Sequence, residues 1–205
     1  MIRAIVPAVM VVLGVPFQLA SAGELKAGAA SCVITPPVGF AMWGYAARKD
    51  APSVGVVDEL KARALVLHVD DEKLAIVSLD LGRAPTRAHT AAIRERVNAA
   101  GIGHVMLVAS HTHHGPVLEL DSWPDAKDPY TNQLDRMLDN LILAANRNLT
   151  PARWGVASRE TPLNRNRQSK RADAPVDRTV SVLRVEALDG RPIAHAVNFA
   201  AHPTM

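Results

Sequence analysis

Apolar and polar residues follow two periods along this chain. Alternation of period two runs through Leu60 to Val69, with Ala62, Ala64, Val66 and His68 set against Arg63, Leu65, Leu67 and Val69. It reads as a strand, because successive side chains of an extended chain point to opposite faces. Asp70-Asp71-Glu72 forms a polar turn and Leu74 to Leu79 is the returning strand. A shorter strand is expected around Ala30 to Ile34, followed by a loop set by Pro36-Pro37 and Gly39. Between Ala84 and Ala100 the period changes: Ala92, Ile93, Val97 and Ala100 recur at helical spacing, with Pro85 suited to a first turn and Gly101 and Gly103 after the end. Val105 to Ala109 is a short apolar run of strand type. A second helix is expected over Tyr130 to Asn148, with Leu134, Leu138, Leu141, Ile142 and Ala145 as its inner stripe and Asp125 to Pro129 as its lead-in. Further strands are read at Trp154 to Ser158, Thr179 to Ala187 and Ile193 to Ala200, the last two joined by an Asp189-Gly190 hairpin turn.

This order implies an α/β fold: a βαβ unit from Leu74 to Ala109, antiparallel hairpins, mixed sheets and flanking helices. The two strands of the βαβ unit should be parallel. Ligands gather at the carboxyl ends of such strands. Asp80, ending the first, and His111, ending the second, then share one rim.

Beyond Ala109 the chain reads Ser-His-Thr-His-His-Gly-Pro, with three histidines at 111, 113 and 114 before Gly115-Pro116 turns it away. Residues two apart on a strand point the same way, so His111 and His113 should project together. Neutral imidazole is the commonest metal ligand, and a pair of them on a stiff support makes half of a tetrahedral zinc site.

Composition narrows the setting. The chain has 205 residues, enough for one sizeable core, with 48% hydrophobic and 21% charged residues. A formal charge of +3 with interspersed signs, and aromatics at 4%, argue against a nucleic-acid partner. Arg3, the apolar run Ala4 to Leu19 and Ala20-Ser21-Ala22 have the form of a secretory signal over residues 1–22, cut before Gly23. The mature protein is therefore expected to be secreted or periplasmic. Cys32 is the single cysteine, expected as an inert, buried thiol.

At this point the motifs become recognisable as a set. Ala27 to Pro36 with Gly44-Tyr45, Val77-Ser-Leu-Asp-Leu-Gly82, Ser110 to Pro116, Asn164-Arg165 and Phe199-Ala-Ala-His-Pro-Thr204 occur in the same order as segments of the neutral/alkaline, non-lysosomal ceramidases. The chain resembles the N-terminal part of that family's catalytic domain, over residues 23–205. The resemblance implies two packed sheets with flanking helices. It also implies a zinc-dependent hydrolase that cleaves the amide bond of ceramide into fatty acid and sphingoid base, with a sphingolipid partner and contact with a membrane surface. By it, His111 and His202 are zinc ligands, while His113 and Arg165 line the reaction centre. Strand geometry alone would make His111 and His113 joint ligands. Asp80 would either orient a histidine through its second nitrogen or cap the following helix.

Three departures qualify the resemblance. The family's remaining ligands, a Glu and a Tyr, and its serine follow the His-Pro-Thr segment, and the chain ends soon after it, as a truncated domain would. His114 stands where the family has Ser. Asn166-Arg167 stands where the family has Ser-Pro, so the substrate is expected to be ceramide or a related N-acyl lipid. A non-catalytic binding or scaffold domain with the same fold is the competing reading.

Overall fold

The computed structural model describes residues 24–49, 51–118 and 129–202. The leader, the 125–128 lead-in and the Pro203-Thr204 end lie outside the described residues. Seven strands and two helices follow the order β1 (Lys26–Val33), β2 (Lys61–Val69), β3 (Glu72–Leu79), α1 (Arg87–Asn98), β4 (His104–Ala109), α2 (Pro129–Arg147), β5 (Thr150–Glu160), β6 (Thr179–Ala187) and β7 (Pro192–Phe199). The α/β class is as expected. Element positions shift by a few residues, most at β5, which is longer at both ends than its apolar centre indicates.

All strands belong to one sheet, in the order β4-β3-β2-β1-β5-β6-β7. Only β3 and β4 are parallel, in register from Leu74↔His104 to Leu79↔Ala109, and α1 is their crossover. Thr86 caps α1: its side chain accepts from the His89 amide. The even positions of β2 (Ala62, Ala64, Val66) and the odd positions of β3 (Ala75, Val77, Leu79) face the helices. Leu134, Leu138 and Ile142 of α2 are 0% exposed against them, each contributing about 1.5–3 kcal/mol by burial. The Tyr130 hydroxyl donates to the Ile34 carbonyl and its ring meets Phe40 edge-on at 5.1 Å. Arg96 of α1 reaches Asp135 and Asp139 of α2. Cys32 is half-buried against this core, and burial pushes its thiol pKa up, which keeps it protonated and unreactive.

The sheet narrows sharply at its middle. β1 and β5 share only Lys26↔Pro151 and Ala27↔Thr150. Across this waist Ala27 and Leu65 pack with Ala152 and Val185 into a second, smaller core. The resemblance implies two packed sheets; the described strands instead join in one, linked through the two pairs between β1 and β5. Further along β5, Trp154 and Val156 are exposed. Among the described residues no helix is long and apolar enough to cross a membrane.

Candidate metal centre

Past β4 the Ser110 amide donates to the Leu79 carbonyl at 2.9 Å, one last step of parallel pairing. His111 then takes φ 60, a left-handed conformation that costs a non-glycine residue about 1 kcal/mol or more. The strand therefore ends two residues before the first histidine. The expectation that a rigid strand presents His111 and His113 is corrected: a hydrogen-bonded loop holds them instead. Its anchors come from two other segments. His111 Nδ1 lies 2.8 Å from the Gly82 carbonyl. A carbonyl only accepts, so Nδ1 carries the proton and Nε2 keeps a free lone pair. Arg48 Nη1 donates to the carbonyls of His113, at 2.8 Å, and Trp43, at 3.0 Å, tying the 43–48 segment to the histidine loop.

His113 is buried, and neither of its ring nitrogens has a hydrogen-bond partner. Trp43 and Tyr45 stand edge-on to its ring, at 4.9 and 5.0 Å between centroids. Trp43 also meets His111, at 4.8 Å. Two glycines make this packing possible. An added Cβ at Gly44, whose φ is 108, would lie 2.4 Å from His113 Cγ, and one at Gly82 would lie 2.4 Å from Trp43 Cε3. His202 arrives from the far end of the sheet, just beyond β7. Asn164 steadies that approach by donating to the carbonyls of Ala200 and Asp177, each at 2.6 Å.

The three rings converge, with centroids 5.2 Å (His111–His113), 5.0 Å (His111–His202) and 4.9 Å (His113–His202) apart. One nitrogen from each lies within 4.8 Å of the others. Tetrahedral zinc with bonds of about 2.0–2.1 Å places its nitrogens about 3.3 Å apart, so the rings would draw closer on binding an ion. Burial lowers the pKa of His113 first, reinforced by His111, Arg167, His114 and Arg48. Loss of water also lowers that of His202, followed by Arg167, His113 and His111. Both imidazoles are held toward the neutral form that ligates metal. Three imidazole nitrogens, with no carboxylate among the described residues of the cluster, suit a borderline-soft ion such as zinc better than calcium or magnesium.

Of the residues singled out from sequence, His111, His113 and His202 come together. Arg165 does not join them in contact: it is exposed and makes no hydrogen bond or ion pair among the described residues. Asp80 shares the rim with His111 but performs neither expected task. It accepts from the Lys61 amide at 3.0 Å and pairs with Arg63 at 3.2 Å, while Gly82 orients His111 and Thr86 caps the helix. Sequence reasoning passed over Trp43 and Arg48, and met Gly82 and Arg167 only as parts of motifs, without a role at the site. Trp43, beside the Gly44-Tyr45 motif in an aromatic-poor chain, was the one with a legible signal.

Residues of the 110–116 segment alternate. His111 and His113 belong to the trio, while Ser110, Thr112 and exposed His114 line a cleft of about 640 Å³ with Phe40, Met42 and Leu60.

No family model matches this sequence, and no curated protein matches it either. Solved structures do resemble it in fold. A ceramidase complexed with C2 superposes with a TM-score of 0.73 at 24% identity, over 88% of this chain and 31% of that one. The neutral ceramidase from Pseudomonas aeruginosa gives a TM-score of 0.72 at 24% identity, over 88% of this chain and 32% of its own. The chain has the fold of the matched region of these enzymes and spans about a third of their length.

Proposed function

We propose that this ceramidase-like fold supplies the metal-binding part of a zinc-dependent amide hydrolase acting on ceramide or a related N-acyl lipid. One observation carries the reading: three imidazoles from opposite ends of the sheet converge, and the most buried of them has no other use for its ring nitrogens. His111 through Nε2, His113 and His202 would hold the ion, the number of protein ligands a catalytic zinc normally keeps. His113 thus becomes a third donor in place of the substrate-side role the resemblance implies. Zinc in such a site polarises a carbonyl and brings the pKa of bound water to about 7, which an unreactive amide requires. The chain's own residues prepare for this. Gly82 fixes the His111 tautomer, and Trp43 and Tyr45 keep water from His113.

The test is zinc content after metal-free purification and back-titration, for the wild-type chain and the His111→Ala, His113→Ala and His202→Ala variants. Fatty acid release from an N-acyl sphingoid base is followed in parallel. One zinc per chain, lost in all three variants, is expected. Zinc retained by His113→Ala would return that residue to the substrate side. No zinc in the wild type would favour the scaffold reading.

A further inference from the structure

Three segments build the cleft beside the histidine loop, and hydrogen bonds tie them together. Residues 34–42 and 52–60 are joined by the Ile34 amide to the Leu60 carbonyl at 2.8 Å, the Leu60 amide to Thr35 Oγ1 at 2.8 Å and the Ser53 amide to the Phe40 carbonyl at 2.7 Å. Residues 110–116 join them through the Trp43 amide, which donates to the Gly115 carbonyl at 2.9 Å, and through the Met42↔Pro116 bridge. The walls are thus fixed before any ligand arrives, and the volume of about 640 Å³ is that of a small-molecule site. Its lining divides in chemistry. Phe40, Met42, Leu60 and Pro116 are apolar, and Val56 and Val57, 50% and 99% exposed, carry that surface out to solvent. Asp58, Glu59 and Asp80 belong to the same lining, which among the described residues holds no lysine or arginine. Arg63, outside the lining, pairs with Asp80 at 3.2 Å, whereas Asp58 and Glu59 have no ion pair among the described residues. Only the histidine trio has three ligand atoms close enough there to share a metal ion. Spread negative charge beside an apolar wall suits a cation that brings its own hydrocarbon.

We infer that this cleft binds a free, single-chain alkylammonium, with its head at Asp58 and Glu59 and its chain against Phe40, Met42 and Leu60. An ammonium offers three donors to the two carboxylates, and hydrogen bonds between charged partners are about twice as strong as neutral ones. Each methylene taken fully out of water adds about fourfold in affinity. None of the trio lines the cleft, so binding needs neither zinc nor turnover and stands apart from the amide-hydrolase reading.

The test is a heteronuclear NMR titration of the full chain with octylammonium, octanol, octanoate and ethylammonium. At about pH 8 the amines are charged and an ordinary imidazole such as a free histidine is neutral. At low salt octylammonium should bind about fivefold or more tighter than octanol, and octanoate weakest, with the advantage over octanol shrinking at high salt. Ethylammonium should bind about tenfold or more weaker than octylammonium, for want of the chain. Amide shifts should centre on Phe40, Leu60 and Thr112. Asp58→Asn/Glu59→Gln should bring the ratio of octylammonium to octanol close to one. Both residues are exposed and their replacements isosteric, so the fold is kept. Glu95→Gln, which neutralises an exposed carboxylate of α1 outside the cleft, should preserve the ratio. His111→Ala should preserve it too, which separates the cleft from an amine captured by a metal in the trio. A wild-type ratio within twofold, a ratio unchanged in the double variant, or binding lost in His111→Ala overturns the inference.

Discussion

Gly82→Ala is the sharpest probe of how the centre is built. The new Cβ would lie 2.4 Å from Trp43 Cε3 and 2.5 Å from Cδ2. Carbon atoms rest at about 3.5–4.0 Å, so the indole must retreat by about 1 Å or more. No left-handed backbone complicates this position, and the carbonyl that His111 uses is retained, so the perturbation is steric alone. Trp43 stands 4.8 Å from His111 and 4.9 Å from His113, and its displacement passes to both rings. Overpacking of this size costs about 1–3 kcal/mol of stability. Loss of support around metal ligands lowers affinity by about 10- to 100-fold. Urea unfolding and competition with a chromophoric zinc chelator measure the two quantities. The same substitution in a Trp43→Ala background should cost less than about 0.5 kcal/mol, because the clashing atoms are gone. Equal costs in both backgrounds, or an unchanged zinc affinity in Gly82→Ala alone, would refute the argument that glycine here makes room for the indole.

Other expectations follow from the same contacts. Tyr130→Phe leaves the buried Ile34 carbonyl without its donor and should lower stability by about 1–3 kcal/mol in urea unfolding. Thr86→Ala removes the acceptor for the His89 amide and should cost about 0.5–2 kcal/mol, with amide exchange accelerated first in the opening turn of α1. In metal-free buffer the unfolded imidazoles of residues 113 and 202 take up protons near their ordinary pKa of 6.5, whereas the folded ones resist. Below that pH the unfolded state binds more protons, so stability should be constant through neutrality and fall on acidification. His113→Gln should flatten the fall, and a profile identical to wild type would show that this imidazole does not resist protonation in the fold.

The sheet was legible where burial is one-sided. β2 alternates cleanly because one face meets two helices, and the apolar spacing of α2 matches its buried residues almost position for position. β5 was read short because most of its residues face water, and no stripe of burial marks its ends. The single waisted sheet was not legible, since two residue pairs decide it. Within the site the histidines stood out through clustering and motif, but their supports did not. A backbone carbonyl at Gly82 leaves no mark on side-chain chemistry, and Arg48 works through carbonyls of residues 5 and 65 positions away. Asp80 misled for a related reason: a carboxylate on the rim is common, and which donor it meets depends on a neighbouring strand.

The trio joins residues beyond β4 and β7, the two outermost strands of a sheet whose middle is nearly severed. A bound ion would therefore act as a covalent-like clip between the sheet's free margins, closing a loop of about 90 residues in a chain that without it carries the larger part of that loop's entropy into every excursion toward unfolding. The β5–β7 half would then be the first part to open when the metal is removed and the last to be secured when it returns. Retention of metal and resistance to proteolysis would rise and fall together, and the histidines would be structural fasteners whether or not any amide is cleaved between them.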